Sequence, residues 1–324
     1  MRKKLLLISL LILVASIVYG DPQDGKVDIS NIKDASSLWR LFLDNPDSKT
    51  GADILVRLGT LGKGNKVIIE NINNYLMGKN LLFRSGETVD YTIISVCIST
   101  LMELGDNSSY PALFSVLYAG YPEVITSEAQ GALEVIPGNL QQFLVNVITH
   151  NPPEEKFAAF TMGVNSDRLT VSQRGQLAEL ALEQGLASTD NNIDLTAMRY
   201  SSVLLLTRLR WTRANALAIR HYYRVQSDYL QNTVPKERFI EAITCLGAVG
   251  NSDAALVLCL QLGLINARTE STGSYDSEIT MAIVQSLGKI GYNAAFDHLL
   301  TVSYLSYPEE IQAAAKEAVA RLKW

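Results

Sequence analysis

Six arginines fall between Leu195 and Ser227, at Arg199, Arg208, Arg210, Arg213, Arg220 and Arg224, and the same span holds no aspartate or glutamate. A guanidinium presents a planar fork of donors that matches a carboxylate or phosphate, and Trp211, Tyr222 and Tyr223 add flat apolar rings between them. That combination suits capture of an acidic or phosphorylated partner. A helix is expected from about Thr212 to Gln226. On it Arg213, Arg220 and Arg224 share one stripe, while Ala214, Leu217, Ala218 and Val225 form the apolar side. Arg208, Arg210, Trp211, Arg213, Arg220, Tyr223 and Arg224 are therefore the candidate partner-binding residues. A second reading is open, in which these arginines pair with Glu179, Glu183, Glu237 or Glu241 and lace neighbouring helices together. The opposite polarity occurs between Ser85 and Glu155, which carry nine carboxylates and no Lys or Arg. Head-to-tail self-association of the basic and acidic spans is a third reading.

The other reactive residues form no catalytic grouping by type and spacing. The three histidines, His150, His221 and His298, stand far apart, and no HExxH, CxxC or GxSxG pattern occurs. His150 adjoins a proline loop, His221 falls on the apolar side of its helix as a hydrogen-bonded core imidazole, and His298 reads as structural or surface. Cys97, Cys245 and Cys259 lie in apolar helical runs and read as buried free thiols. A Cys245–Cys259 bridge stays open, because spacing does not fix where the side chains point. The segment Gly59–Lys66 looks superficially like a phosphate loop, yet Asn65 separates Gly64 from Lys66, and Val67 stands where Ser or Thr would be needed. Abundant acidic residues include no pair that spacing singles out for sugar hydrolysis. No catalytic residue, metal site or cofactor is expected, and the chain is not expected to be an enzyme; a site assembled from distant repeats is the remaining route to one. Asn107-Ser108-Ser109 fits a glycosylation acceptor, which matters only in a eukaryotic host.

The elements that must position these residues follow a repeated pattern. Leu58-Gly59, Leu104-Gly105, Leu246-Gly247 and Leu287-Gly288 recur at roughly 40 to 47 residues. Ala112, Ala254 and Ala295 fall eight positions after their leucines, and Leu206 with Ala214 keeps that spacing without the glycine. From Leu206 to Leu246 is 40 residues, and from Leu246 to Leu287 is 41. In Leu246-Gly247-Ala248-Val249-Gly250-Asn251-Ser252-Asp253-Ala254-Ala255, the leucine closes one helix on its buried side and Gly247 is expected to end it in a left-handed conformation. Asn251, Ser252 or Asp253 then caps the next helix, and the alanines let two backbones approach. Ile93, Cys97, Leu101 and Leu104 share one helical face, as do Ile311, Ala315, Ala318 and Leu322. Glu310, Glu317 and Arg321 lie opposite, like the polar cap of a solenoid end.

These positions resemble HEAT-type repeats, in particular the short HEAT-like repeats of bacterial scaffold proteins and of the phycobilin-lyase group. The resemblance is clear over about 235–324, present over 50–118 and weak between 120 and 205. It implies an all-α superhelix of about seven antiparallel helix pairs that acts as a protein-binding surface.

The N-terminus reads as an export signal. Arg2, Lys3 and Lys4 precede the apolar run Leu5–Val14, and Val18 and Gly20 place cleavage before Asp21. An uncleaved membrane anchor is the alternative, although the run falls short of the ~20 apolar residues a span needs. With no cysteine before Cys97, a lipoprotein anchor is excluded. Loss of three positive charges takes the formal net charge from -5 to -8, which argues against general nucleic-acid binding. The expected organisation is a signal peptide over 1–20, an N-terminal segment with a capping helix over 21–49, and a solenoid over 50–324 with a bend near 150–155, where Asn151-Pro152-Pro153 interrupts the helices. The expected function is that of an exported, periplasmic or secreted scaffold holding another envelope protein. The alternative is a recognition module in which residues 199–224 capture an acidic glycan, peptide or lipid headgroup.

Overall fold

The computed structural model describes residues 29–44, 47–188 and 192–324. Among them lie sixteen α-helices, four short 3-10 turns and one isolated bridge between Tyr292 and Lys323, with no strand. The proposed cleavage site and apolar run of the N-terminus fall outside the described residues. The chain divides into two compact units: residues up to Leu113 with Pro122–Ala132, and Phe114–Tyr121 with Leu133–Trp324.

In the first unit α1 (Ala35–Asp44), α2 (Ser48–Leu61), α3 (Lys66–Arg84) and α4 (Tyr91–Leu104) form two layers, α1 against α3 and α2 against α4. Asp47, Asn65 and Asp90 cap α2, α3 and α4, each accepting from backbone N–H groups of the first turn. Leu55, Leu58, Ile72, Leu76, Cys97 and Leu101 are fully buried between the layers. Thr100 Oγ1 donates to the Leu55 carbonyl at 3.1 Å, tying α4 to α2. The division between the units falls inside α5 (Tyr110–Leu117) and α6 (Glu123–Val135).

The second unit continues with α7 (Leu140–His150), α8 (Pro153–Asn165), α9 (Val171–Ala187), α10 (Ile193–Leu209), α11 (Asn215–Leu230), α12 (Lys236–Val249), α13 (Ser252–Thr272), α14 (Ser277–Ile290), α15 (Phe296–Val302) and α16 (Glu309–Ala320). Helices two apart in sequence pack side by side: α8, α10, α12, α14 and α16 make a front layer, and α7, α9, α11, α13 and α15 a back layer. Each pair covers the apolar seam of the next, so stability is a sum over neighbours. The proline stretch Asn151-Pro152-Pro153 joins α7 to α8, with Pro153 opening α8, where a missing N–H costs nothing.

The recurrent leucines are buried as their spacing requires, and Ala112, Ala214, Ala254 and Ala295 are at most 1% exposed. The glycines that follow the leucines are a different matter. Gly105 does end α4 in the left-handed region, at φ 67°. Gly59, Gly247 and Gly288 instead lie inside their helices, each two residues before the end. Their function is close approach. A Cβ on Gly247 would come 2.7 Å from Ser286 Cα, and one on Gly288 would come 2.9 Å from Ala318 Cα. The next positions, Gly250 and Gly291, cap the helices, and of these only Gly291 has a positive φ. Ser286 Oγ, seated over Gly247, donates to the Ile243 carbonyl at 3.2 Å. The front layer is thus drawn together at its small residues.

At the C-terminal end, Ile311, Ala315, Ala318 and Leu322 are buried, and Arg321 pairs with Glu317 at 3.4 Å on the outer face. Asn251 caps α13 by accepting from Asp253 N–H.

Candidate functional site

α8 and α10 lie side by side in the front layer and leave an open groove of ≈ 470 Å³ between them. Phe157, Phe160, Thr161 and Val164 supply one wall, and Ser201, Leu204, Leu205 and Arg208 the other. Both sets follow i, i+3, i+4, i+7, the spacing of one helical face. Leu204 is 49% exposed, a large apolar side chain standing in solvent at the groove wall. Arg208 is exposed at the end of α10, and among the described residues its guanidinium makes no hydrogen bond or ion pair. An apolar floor ending in an unengaged cation accepts a hydrophobic side chain followed by a carboxylate. A second groove of ≈ 440 Å³ opens on the same layer between α12 and α14, where Ile240, Met281 and Ile311 meet Glu278 and Lys289.

The remaining arginine-region residues do not form one site. Arg213 precedes α11 in a 3-10 turn, because that helix starts at Asn215 and not near Thr212; the expected three-arginine stripe is broken there. Its Nε lies 3.6 Å from Glu179 Oε2, and Trp211 Nε1 donates to the same oxygen at 2.8 Å. The Trp211 ring fills the space over Gly175, where a Cβ would come within 2.6 Å of it. These two residues lace α9 to the α10–α11 turn. Arg224 Nη1 donates to the Ser188 carbonyl at 2.9 Å. Arg210 holds a left-handed conformation at φ 50° as the C-cap of α10, and its backbone N–H serves the Leu206 and Thr207 carbonyls. Arg220 and Tyr223 are exposed on α11, in the back layer. Of the predicted residues, Arg208 alone lines the front groove.

The reactive side chains are turned inward. Cys97, Cys245 and Cys259 are free and buried, so the Cys245–Cys259 bridge does not form. Burial pushes their thiols up to about 12, 11 and 11, far from thiolate formation at neutral pH. His221 is fully buried as expected, but neither ring nitrogen has a hydrogen-bond partner, contrary to the hydrogen-bonded core imidazole that its sequence position suggests. His150 Nδ1 lies 3.1 Å from the Asn146 carbonyl, and the His298 carbonyl accepts from Asn266. No group of three or more His, Cys, Asp or Glu able to hold a metal occurs among the described residues.

The groove residues Phe157, Phe160, Leu204 and Leu205 went unnoticed in the sequence. A signal was present: α8 and α10 each carry apolar residues on more than one face, so one face is left over after the core is filled. No helix among the described residues is long and apolar enough to cross a membrane. No protein-family model matches the chain, and no curated protein matches it.

Proposed function

We propose that this chain is a HEAT-like scaffold, exported to the periplasm or secreted, that performs no catalysis and holds another protein on the front layer of its second unit. The groove between α8 and α10 carries this reading, because it joins exposed Leu204 and half-buried Phe157 and Val164 to the unengaged Arg208. An apolar anchor inserted beside a charge-assisted hydrogen bond is the arrangement from which a few residues supply most of the affinity. The export reading is supported by the basic head and apolar run at the N-terminus.

Capture of the partner from the native compartment tests the reading. Leu204→Asp and Arg208→Glu should each weaken capture at least about tenfold, equivalent to about 1.4 kcal/mol, while Arg220→Glu on the back layer leaves it unchanged. Equal capture by wild type and both groove variants contradicts the groove as the binding site.

A further inference from the structure

Arg199 lies on α10 with 3% of its surface exposed, and its Nη1 has no hydrogen-bond partner. Its Nη2 reaches the Tyr200 hydroxyl only at 3.5 Å, too long for a firm bond. His221, on α11, is 0% exposed and has both ring nitrogens unbonded. The two groups border the same ring: the Arg199 guanidinium is 4.8 Å from the Tyr200 centroid, and the His221 imidazole meets it edge-on at 5.7 Å. From α12, Arg238 stacks 4.4 Å from that centroid while pairing with Glu241 at 2.7 Å.

The charges around this point do not balance. Arg199, Arg224 and Arg238 are the cations, and Asp228 and Glu241 the carboxylates in electrostatic reach. Glu241 is committed to Arg238, and Asp228 acts on Arg199 without forming an ion pair with it. One positive charge is left over, on a guanidinium that is buried and cannot escape by deprotonating. Burial, then Arg199, Arg224 and Arg238, hold the His221 ring down to about 3, so at neutral pH it is uncharged and offers one N–H donor. A Cβ on Gly185 would come 2.8 Å from Arg199 Cβ, so α9 and α10 pack closely at the base of the Arg199 side chain.

We propose that Arg199 and His221 together bind one small inorganic anion of the size and charge of chloride, accepting from Arg199 Nη1 and from the ring N–H of His221. The bound ion neutralises the surplus charge and pins α10 to α11 beneath Tyr200. Because the anion also favours an imidazolium, its binding tightens as pH falls toward the His221 titration.

Thermal unfolding of the full chain in sodium glutamate, with chloride substituted at constant ionic strength, provides the test. Wild type should gain roughly 2–4 °C on reaching about ten times the dissociation constant, and Arg199→Met should show no gain. Identical wild-type midpoints in the two salts, or an undiminished gain in Arg199→Met, overturns the proposal, since a bridging water would then suffice. Bromide-soaked wild-type crystals give a readout that needs no variant. An anomalous peak between Arg199 and His221 supports the site, and an empty map at that position overturns it.

Discussion

His221 is a neutral imidazole buried among guanidiniums, and that sets the direction in which stability depends on pH. Its ordinary value is 6.5, and burial with the charges of Arg199, Arg224 and Arg238 lowers it to about 3 in the folded chain. Between those values the unfolded chain binds the extra proton, so stability is lost as pH falls below 6.5. In halide-free buffer the loss should approach about 1.4 kcal/mol per pH unit, followed by denaturant titration from pH 7 to 4.5. Asp90 and Asp106 run the same way in a lower window, held down by hydrogen bonds from Ser48 and from Ser108 respectively; their contribution is present above 3.8 and is lost only in stronger acid. His221→Phe should therefore remove the loss between pH 6.5 and 4.5 and leave the lower limb. An unchanged slope in that window would show that His221 is not the titrating group. The inward place of His221 was legible from its position on the apolar side of its helix, with Leu217, Ala218 and Val225. Its missing hydrogen bonds were not, because they depend on what α10 and α12 bring to it.

At the scale of the helix, the repeated Leu-Gly pair is a unit as its spacing indicates, but a corner only at Gly105 and not at Gly59, Gly247 or Gly288. The leucines are buried throughout, and so are the alanines eight positions after Leu104, Leu206, Leu246 and Leu287. A glycine two residues before a helix end serves packing when the neighbouring helix carries a small residue at the crossing, as Ser286 and Ala318 do. Sequence shows the glycine but not the register of the facing helix, so turn and crossing look alike. Gly247→Val should destabilise by about 1–3 kcal/mol through overpacking against Ser286, measured by chemical denaturation. Gly78 gives the opposite sign: it is exposed within α3, with nothing within 4 Å of a Cβ placed there. Gly78→Ala should stabilise by about 0.5–1 kcal/mol through helix propensity. Matching shifts of one sign at both positions would refute the packing explanation.

For the whole molecule, helical content, layering and the polar C-terminal face followed from periodicity and repeat spacing. The binding surface did not. Charge clustering drew attention to residues 199–224, yet successive helices of a stack point to opposite layers, so one basic stretch is distributed over both. Glu179 absorbs Arg213 and Trp211, and Arg208 is left at the front groove. If export proceeds as the N-terminus indicates, protein recovered outside the cytoplasm should begin at Asp21 by mass spectrometry, and recovery only with Met1 intact would contradict cleavage. The apolar content of the groove predicts that partner binding changes little between low and moderate salt. The most direct test is a photo-crosslinking residue installed at Leu204 in the intact cell, with a matched probe at Leu256 on the back layer. One dominant crosslinked protein from position 204, lost when Arg208→Glu is added and absent from position 256, is the predicted result; no adduct at 204, or the same adducts from both positions, would contradict it.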